Sequence, residues 1–288
     1  MRPVRCALSA TLLSASLILT AQQPTTAANA PARDTSYIDA SGTAHVTRVV
    51  PVPQDLSPEA QKFISRPAPD EAPPESLAER RRYMDEWGES ANAAWSRLCP
   101  NTIENTTIAG VPIRIVTPAN LPAGNRDKVL MNLHGGSFNA DSGSYAETIP
   151  IAGYTGIKVV AVLYRLAPEH PFPAGVDDAV AVYKALLKTY KPDHIVIYGT
   201  SAGAALTAEV AVKLKQLSLP LPAALGIFST VADFSDMGDS SAIYTLRGFA
   251  GHLDPPGAGV HDPYYAGTTD PRDPVLSPIY ADLHNLPS

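Results

Sequence analysis

The pentapeptide Gly-Thr-Ser-Ala-Gly at 199–203 constrains the fold of this chain more than any other feature. An apolar run typical of a β-strand, HIVIY (194–198), leads into it, and a run typical of an α-helix, AGAALTAEVAVKLKQL (202–217), leads out of it. A strand that turns into a helix over so few residues needs glycine-sized neighbours on both sides of the serine. The pattern therefore predicts a tight strand–turn–helix unit that lifts the Ser201 hydroxyl above a sheet, beside the positive end of a helix.

A second motif precedes the first in the chain. The apolar strand-like run KVLMNLHGGSF (128–138) ends in His134-Gly135-Gly136-Ser137. A glycine-rich turn is the simpler interpretation of this motif alone, but the two motifs in this order are typical of an oxyanion loop followed by a nucleophile. We predict Ser201 as the nucleophile and an oxyanion hole formed by backbone N–H groups. The predicted donors are Gly135, Gly136, Ser137 and Ala202. We expect His134 to orient the loop and not to act as the base.

Four stretches together resemble one family, the hormone-sensitive-lipase-like bacterial esterases, in the subgroup with Thr before the nucleophile. They are NLHGGSF (132–138), YRLAPEHPFPAGVDDAV (164–180), YGTSAGAAL (198–206) and DPVLSPIYADLHNLP (273–287). The likeness runs from about residue 75 to the last residue. It implies an α/β-hydrolase fold, with a mostly parallel sheet, helices on both faces and a small helical cap. One departure is Ser137, where many members have a third glycine, and its side chain is expected to narrow the loop.

The chain is expected to contain four parts. We predict a signal peptide (1–28), a Pro-rich extended segment (29–74), an N-terminal cap helix (75–100) and a hydrolase core (101–288) with a cap insertion at about 231–272. Ser57-Pro58 predicts a short helix through Ile64, and the Ser76/Glu79 spacing predicts a capping box for a helix that runs to Leu98. The predicted core strands are 102–110, 111–118, 128–134, 157–165, 194–198 and 223–230. The predicted core helices are 144–153, 173–190 and 202–217, with a cap helix near 240–249.

The first residues predict export. A basic start, an apolar stretch (6–21) and the small residues of TTAANA (25–30) are typical of a secretory signal cleaved after Ala28. A membrane anchor is the alternative, but the stretch falls short of about 20 uninterrupted apolar residues. The expected location is secreted or periplasmic. A net charge of −6 argues against nucleic acid and anionic lipid as partners. Cys99 would then be the single cysteine of the mature chain, and we expect it to be a buried apolar residue.

The sequence does not identify the acid and the histidine base that would complete a catalytic triad with Ser201. The resemblance implies an acid after the seventh core strand and a His after the eighth, whereas the chain ends where the seventh should begin, so that ~60–80 residues are expected to be absent. Asp233 follows the sixth strand, where a few hydrolases have their acid, but it also suits a plain turn. The chain as given is therefore expected to be a poor esterase. The sequence has no H-E-x-x-H, C-x-x-C or Walker motif, so no metal or cofactor is predicted.

These features predict an exported serine carboxylesterase that hydrolyses short-chain esters or lactones, which are small-molecule substrates, through an acyl-enzyme. The alternatives are a catalytically inactive ligand-binding protein on a hydrolase fold, an inactive fragment, or, less favoured, a peptidase or amidase.

Overall fold

The computed structural model describes residues 36–46, 52–65, 76–236 and 263–287. The predicted signal peptide and the predicted cap helix near 240–249 lie outside these residues. The chain divides into two units, Met1–Ser65 and Arg66–Ser288.

The first unit contains a small hairpin that the sequence analysis missed. Strands β1 (Ser36–Ile38) and β2 (Ala44–Val46) pair antiparallel. The Asp39 carboxylate accepts hydrogen bonds from the Ser41 and Thr43 N–H groups and so closes the turn between them. The predicted short helix is confirmed as α1 (Pro58–Ile64), with Ser57 as its N-cap. An Asp-based turn holds this hairpin in a segment that composition alone predicts to be extended.

The predicted long helix is confirmed as α2 (Leu77–Leu98). Its capping box is present, because the Ser76 hydroxyl accepts from the Glu79 N–H at 3.2 Å and the Glu79 carboxylate accepts from the Ser76 N–H at 3.1 Å. Trp95 packs against the buried core, but Trp87 and Leu98 stay 43% and 68% exposed. The apolar stripe of α2 therefore packs on the core only in part.

The second unit is built on one six-stranded sheet in the order β3-β4-β6-β5-β7-β8. The pairs β3/β4 and β4/β6 are antiparallel, whereas β6, β5, β7 and β8 run parallel. Each strand corresponds to a predicted one, with ends shifted by a few residues. The strands are β3 (Asn101–Ile108), β4 (Val111–Pro118), β5 (Val129–Leu133), β6 (Lys158–Val162), β7 (Ile195–Thr200) and β8 (Ala224–Phe228).

Helices cover both faces of the sheet. On one face, α5 (Ala202–Gln216) packs against β5, β7 and β8, and α4 (Ala174–Leu186) packs against α5 and against β3, β4 and β6. On the other face, α3 (Ile149–Thr155) and Cys99 pack around Leu130. Cys99 is buried, as expected. Alternate side chains of β5, β6 and β7 enter two separate apolar clusters, which is the pattern of a covered α/β sheet.

Two predicted helices differ from the structure at their ends. The helix expected at 144–153 begins later, at Ile149, because residues 141–147 form a turn in which the Asp141 carboxylate accepts from the N–H groups of Gly143 and Ser144. The helix expected at 173–190 ends at Leu186. A further short helix, α6 (Pro263–Ala266), lies within the segment predicted as the cap insertion, about 231–272, of which residues 237–262 are outside the described ones.

Candidate active site

Ser201 occupies the predicted tight turn between β7 and α5. Its backbone has φ 54° and ψ −121°, a conformation that non-glycine residues rarely adopt. A Cβ on Gly203 would lie 1.8 Å from the Leu133 carbonyl oxygen, and one on Gly199 would lie 2.4 Å from the same atom. The Ser201 N–H donates to the carbonyl of Phe228 at the end of β8. Glycine at both flanking positions is therefore a steric requirement of this turn.

The exposed Ser201 side chain lines a cavity of about 390 Å³. The cavity lies at the carboxyl ends of parallel strands, where α/β proteins bind ligands. Its other lining residues are Ser137, Phe138, Ala202, Ala205, Ser229, Thr230, Val231 and Phe234. Most of this surface is apolar, and neither tryptophan of α2, Trp87 or Trp95, is among the described lining residues.

The loop after β5 brings backbone N–H groups to this cavity. Gly136 has φ 122°, and a Cβ there would lie 2.0 Å from the Ala140 carbonyl oxygen. Within residues 76–236, the N–H groups of Gly136 and Ser137 have no acceptor, and Ala202 is the first residue of α5, where N–H groups lack helical partners. Of these three predicted donors, Ser137 and Ala202 line the cavity, and Gly136 directly precedes Ser137.

Gly135 differs from the prediction. Its N–H donates to Glu147 Oε1 at 3.2 Å, so it is already used inside the protein. The donor set is therefore smaller than the sequence analysis expected, because a carboxylate twelve residues along the chain folds back onto the loop.

His134 has the orienting position that was predicted for it. The buried ring stacks on Tyr164 with 4.2 Å between centroids, its Nδ1 lies 2.8 Å from the Gly135 carbonyl oxygen, and Tyr164 donates its hydroxyl to the His134 carbonyl. Burial raises the pKa of Tyr164 well above its ordinary value, so that the hydroxyl remains a donor. These contacts fix the start of the oxyanion loop.

No triad partner for Ser201 occurs among the described residues. None of their carboxylates or imidazoles hydrogen-bonds to its hydroxyl. Asp233, the one acid considered from the sequence, accepts from Ser235 and from the Tyr280 hydroxyl and so forms a turn. Nor do the described residues group three or more His, Cys, Asp or Glu side chains in an arrangement suited to a metal ion.

Sequence reasoning missed several polar residues around the site. Glu147 has a raised pKa because burial disfavours its charge, although Asn132 and the Gly135 N–H oppose this by donating to it. Glu209 on α5 is wholly buried, and its carboxylate accepts from the Tyr265 hydroxyl. The Tyr265 ring stacks on Phe138, with 3.5 Å between centroids. A charged residue on the apolar face of a predicted helix was the only sequence signal for Glu209.

Two arginines of α2 hold the same loop from outside. Arg80 donates to the Asn139 side chain at 3.1 Å and to the Ser137 hydroxyl at 3.3 Å. Arg81 donates to the carbonyls of Asn139 and Ala167 and forms a two-pronged ion pair with Glu169. The helix that the resemblance assigns to the cap is thus bonded directly to the oxyanion loop.

Comparison with known proteins agrees with this geometry. The model of the alpha/beta hydrolase fold family matches residues 130–288, which is more than half of the chain. The chain therefore belongs to the α/β-hydrolase fold family. Its curated relatives include an acetyl-hydrolase of Streptomyces hygroscopicus, 37% identical over 58% of this chain and 56% of the relative, and an esterase of Acinetobacter venetianus, 31% identical over 66% of this chain and 65% of the relative.

Solved structures place the chain more narrowly. A crystal structure of an esterase has a TM-score of 0.65 and 32% identity, covering 84% of this chain and 77% of that one. An esterase from the bacterial hormone-sensitive lipase family has a TM-score of 0.62 and 28% identity, covering 81% and 77%. The resemblance stated from the sequence is thus confirmed.

The chain spans between 56% and 65% of the length of the two curated relatives named above. In the described residues, no helix combines the length and apolar character that a membrane crossing needs.

Proposed function

We propose that this protein is a serine carboxylesterase that hydrolyses short-chain carboxylic esters or lactones through an acyl-enzyme on Ser201. The observation that carries the proposal is the strained Ser201 turn, which opens onto a cavity near three backbone N–H groups that have no acceptor among the described residues. Strain of this kind persists where the surrounding structure enforces it, and it is concentrated at functional sites.

The proposed reaction begins when Ser201 Oγ attacks the ester carbonyl carbon. The C=O bond opens to an oxyanion, which the N–H groups of Gly136, Ser137 and Ala202 stabilise. The serine proton passes to a histidine base and then to the leaving alkoxide, which departs as the alcohol. A water molecule then attacks the carbonyl carbon of the acyl-enzyme in the same way. The bond to Ser201 Oγ breaks, the serine regains its proton, and the carboxylic acid is released. The base and its acid partner belong to the proposal, and neither is among the described residues.

The cavity favours a small apolar acyl group. Phe138, Val231 and Phe234 supply apolar surface on its walls, and its volume of about 390 Å³ is at the lower end for small-molecule sites. Burial of acyl methylenes against these side chains is favourable at about 0.8 kcal/mol each. We therefore propose acetyl to butyryl esters as the preferred substrates.

The direct test compares Ser201→Ala with Ser90→Ala, a control that removes an exposed serine hydroxyl of α2 outside the cavity. We measure p-nitrophenyl butyrate turnover in the protein as its gene encodes it. Loss of the nucleophile is expected to lower kcat on the order of 10⁶-fold, and the control should keep most of the activity. If Ser201→Ala retains most of the wild-type turnover, the assignment of the nucleophile is wrong.

A ligand-binding protein on the same fold is the second candidate, because no described base contacts the Ser201 hydroxyl. Such a protein would bind an ester with a measurable Kd by calorimetry, and mass spectrometry would find the ester unhydrolysed after long incubation.

A further inference from the structure

The Glu147 carboxylate joins the oxyanion loop to the strand that precedes it. Its Oε1 accepts from the Gly135 N–H at 3.2 Å, and its Oε2 accepts from the Asn132 side chain at 3.0 Å. Asn132 is completely buried in β5, next to the first residues of the loop. One side chain therefore fixes a loop N–H relative to a rigid strand.

Two glycines, Gly135 and Gly143, leave the space that this carboxylate occupies, because neither carries a Cβ. A Cβ on Gly143 would lie 2.1 Å from Glu147 Oε1, and one on Gly135 would lie 3.4 Å from it. The Glu147 N–H also donates to the Gly143 carbonyl at 2.7 Å, so the turn before α3 aims the side chain inward. This arrangement leaves little freedom for the carboxylate to move.

Glu147 is also bonded to the strand that carries the nucleophile. The buried Tyr198 donates its hydroxyl to the Glu147 carbonyl oxygen at 3.0 Å. Tyr198 lies in β7, directly before Gly199 of the Ser201 turn. The backbone and the side chain of Glu147 thus contact the two halves of the site, the oxyanion loop and the nucleophile strand.

The oxyanion loop needs such a constraint. Gly136, Ser137 and Phe138 all have positive φ, with values of 122°, 53° and 60°. For non-glycine residues this region is unfavourable, so an unrestrained loop would relax away from it. Relaxation would move the N–H groups of Gly136 and Ser137.

We infer that Glu147 is a positioning residue of the esterase reaction: by binding the Gly135 N–H, it holds the next two N–H groups, of Gly136 and Ser137, at the place where the oxyanion forms. The inference rests on the proposed function. Glu147 is not among the described residues that line the cavity. Its effect is on the transition state, because the negative charge on the carbonyl oxygen is absent from the bound ester and develops only as Ser201 attacks, and misplacement by about 1 Å can cost about 10²-fold in rate.

The test compares Glu147→Met with Glu147→Gln by using p-nitrophenyl butyrate. Met has a similar volume but accepts no strong hydrogen bond, so kcat should fall on the order of 10- to 100-fold while KM changes little. Gln keeps an oxygen for the Gly135 N–H, and its amide group can donate to Asn132 Oδ1, which has no partner among the described residues. Gln should therefore restore most of kcat. Glu104→Gln, on an exposed position of β3, is the control.

If Glu147 had a purely structural role, Glu147→Met and Glu147→Gln would both lower the melting temperature, and Gln would not restore kcat relative to Met. The inference is overturned if Glu147→Met keeps wild-type kcat, if only KM rises, or if Gln is as slow as Met. If the Met variant does not fold, Gly143→Ala displaces the carboxylate directly and should lower kcat in the same way, and unchanged kcat there also overturns the inference. An inactive wild type or an active Ser201→Ala variant refutes the proposed function itself, and the role of Glu147 falls with it.

Discussion

At the scale of single residues, the site depends on backbone conformations that side chains must hold. Ser137, at a position where the family resemblance implies glycine in many members, shows how this chain does so. Its φ of 53° is disfavoured for serine, but its hydroxyl receives a hydrogen bond from Arg80. The serine that the sequence analysis expected to narrow the loop is thus also an attachment point for α2.

Glu209 is a second residue whose environment has a measurable consequence. Burial raises the pKa of its carboxyl well above the ordinary value, nearby Asp273 raises it further, and the hydrogen bond from Tyr265 opposes the shift. The native state therefore keeps a proton that the unfolded chain releases above about pH 4.3. This contribution to stability is fully present below the unfolded pKa and is lost as the pH rises toward the native pKa.

We predict that Glu209→Gln removes this pH dependence while keeping an acceptor for Tyr265. Between about pH 5 and pH 8, the free energy of unfolding of the wild type should fall relative to that of the variant. Urea unfolding midpoints at the two pH values measure the difference, and Glu104→Gln serves as the exposed control. Parallel changes in wild type and Glu209→Gln would contradict the prediction, because they would show that folding does not raise the pKa of the Glu209 carboxyl.

At the scale of elements, α2 is a largely exposed helix that hydrogen bonds from its arginines attach to the rest of its unit. Its arginines bind the oxyanion loop and the loop at 167–169, whereas its apolar stripe is only partly covered. The start of the helix depends on the Ser76/Glu79 box, since the first N–H groups of a helix have no partners within it.

We predict that Ser76→Ala lowers the melting temperature by about 2–4 °C, because the N-cap hydrogen bond is lost. Ser90→Ala is the matched control on the same helix: Ser90 donates to the Glu86 carbonyl within the helix and caps nothing. Differential scanning calorimetry of both variants is the measurement. Equal melting temperatures for the two would mean that the box does not contribute to the cooperative unit.

Element boundaries were predictable where local chemistry sets them. The starts of α1 and α2 follow from Ser caps that the sequence displays, and the structure confirms both. The predicted start of α3 was wrong, because Asp141 accepts hydrogen bonds from Gly143 and Ser144 in a local turn and Glu147 bonds to the oxyanion loop. The hairpin at 36–46 was missed since its strands have only three residues each.

At the scale of the whole molecule, the parts of the site contained in contiguous motifs were predictable, and those that join distant segments were not. Ser201 and its flanking glycines belong to one turn, so their geometry follows from the sequence. The bonds of Arg80 to the oxyanion loop span 57 to 59 residues, and that of Tyr265 to Glu209 spans 56. No local pattern marks such pairs. The bond from the Gly135 N–H to Glu147 spans only twelve residues, but no motif in the sequence marks it either.

The central claim is that Ser201 is the nucleophile, and covalent trapping tests it most directly. The protein as its gene encodes it is treated with diethyl p-nitrophenyl phosphate, and the modified peptides are mapped by mass spectrometry. We predict a single diethylphosphoryl group on Ser201, release of one equivalent of p-nitrophenol, and no labelling of Ser201→Ala at the same exposure. Labelling of another residue at the wild-type rate, or of Ser201→Ala to the same extent, would contradict the claim.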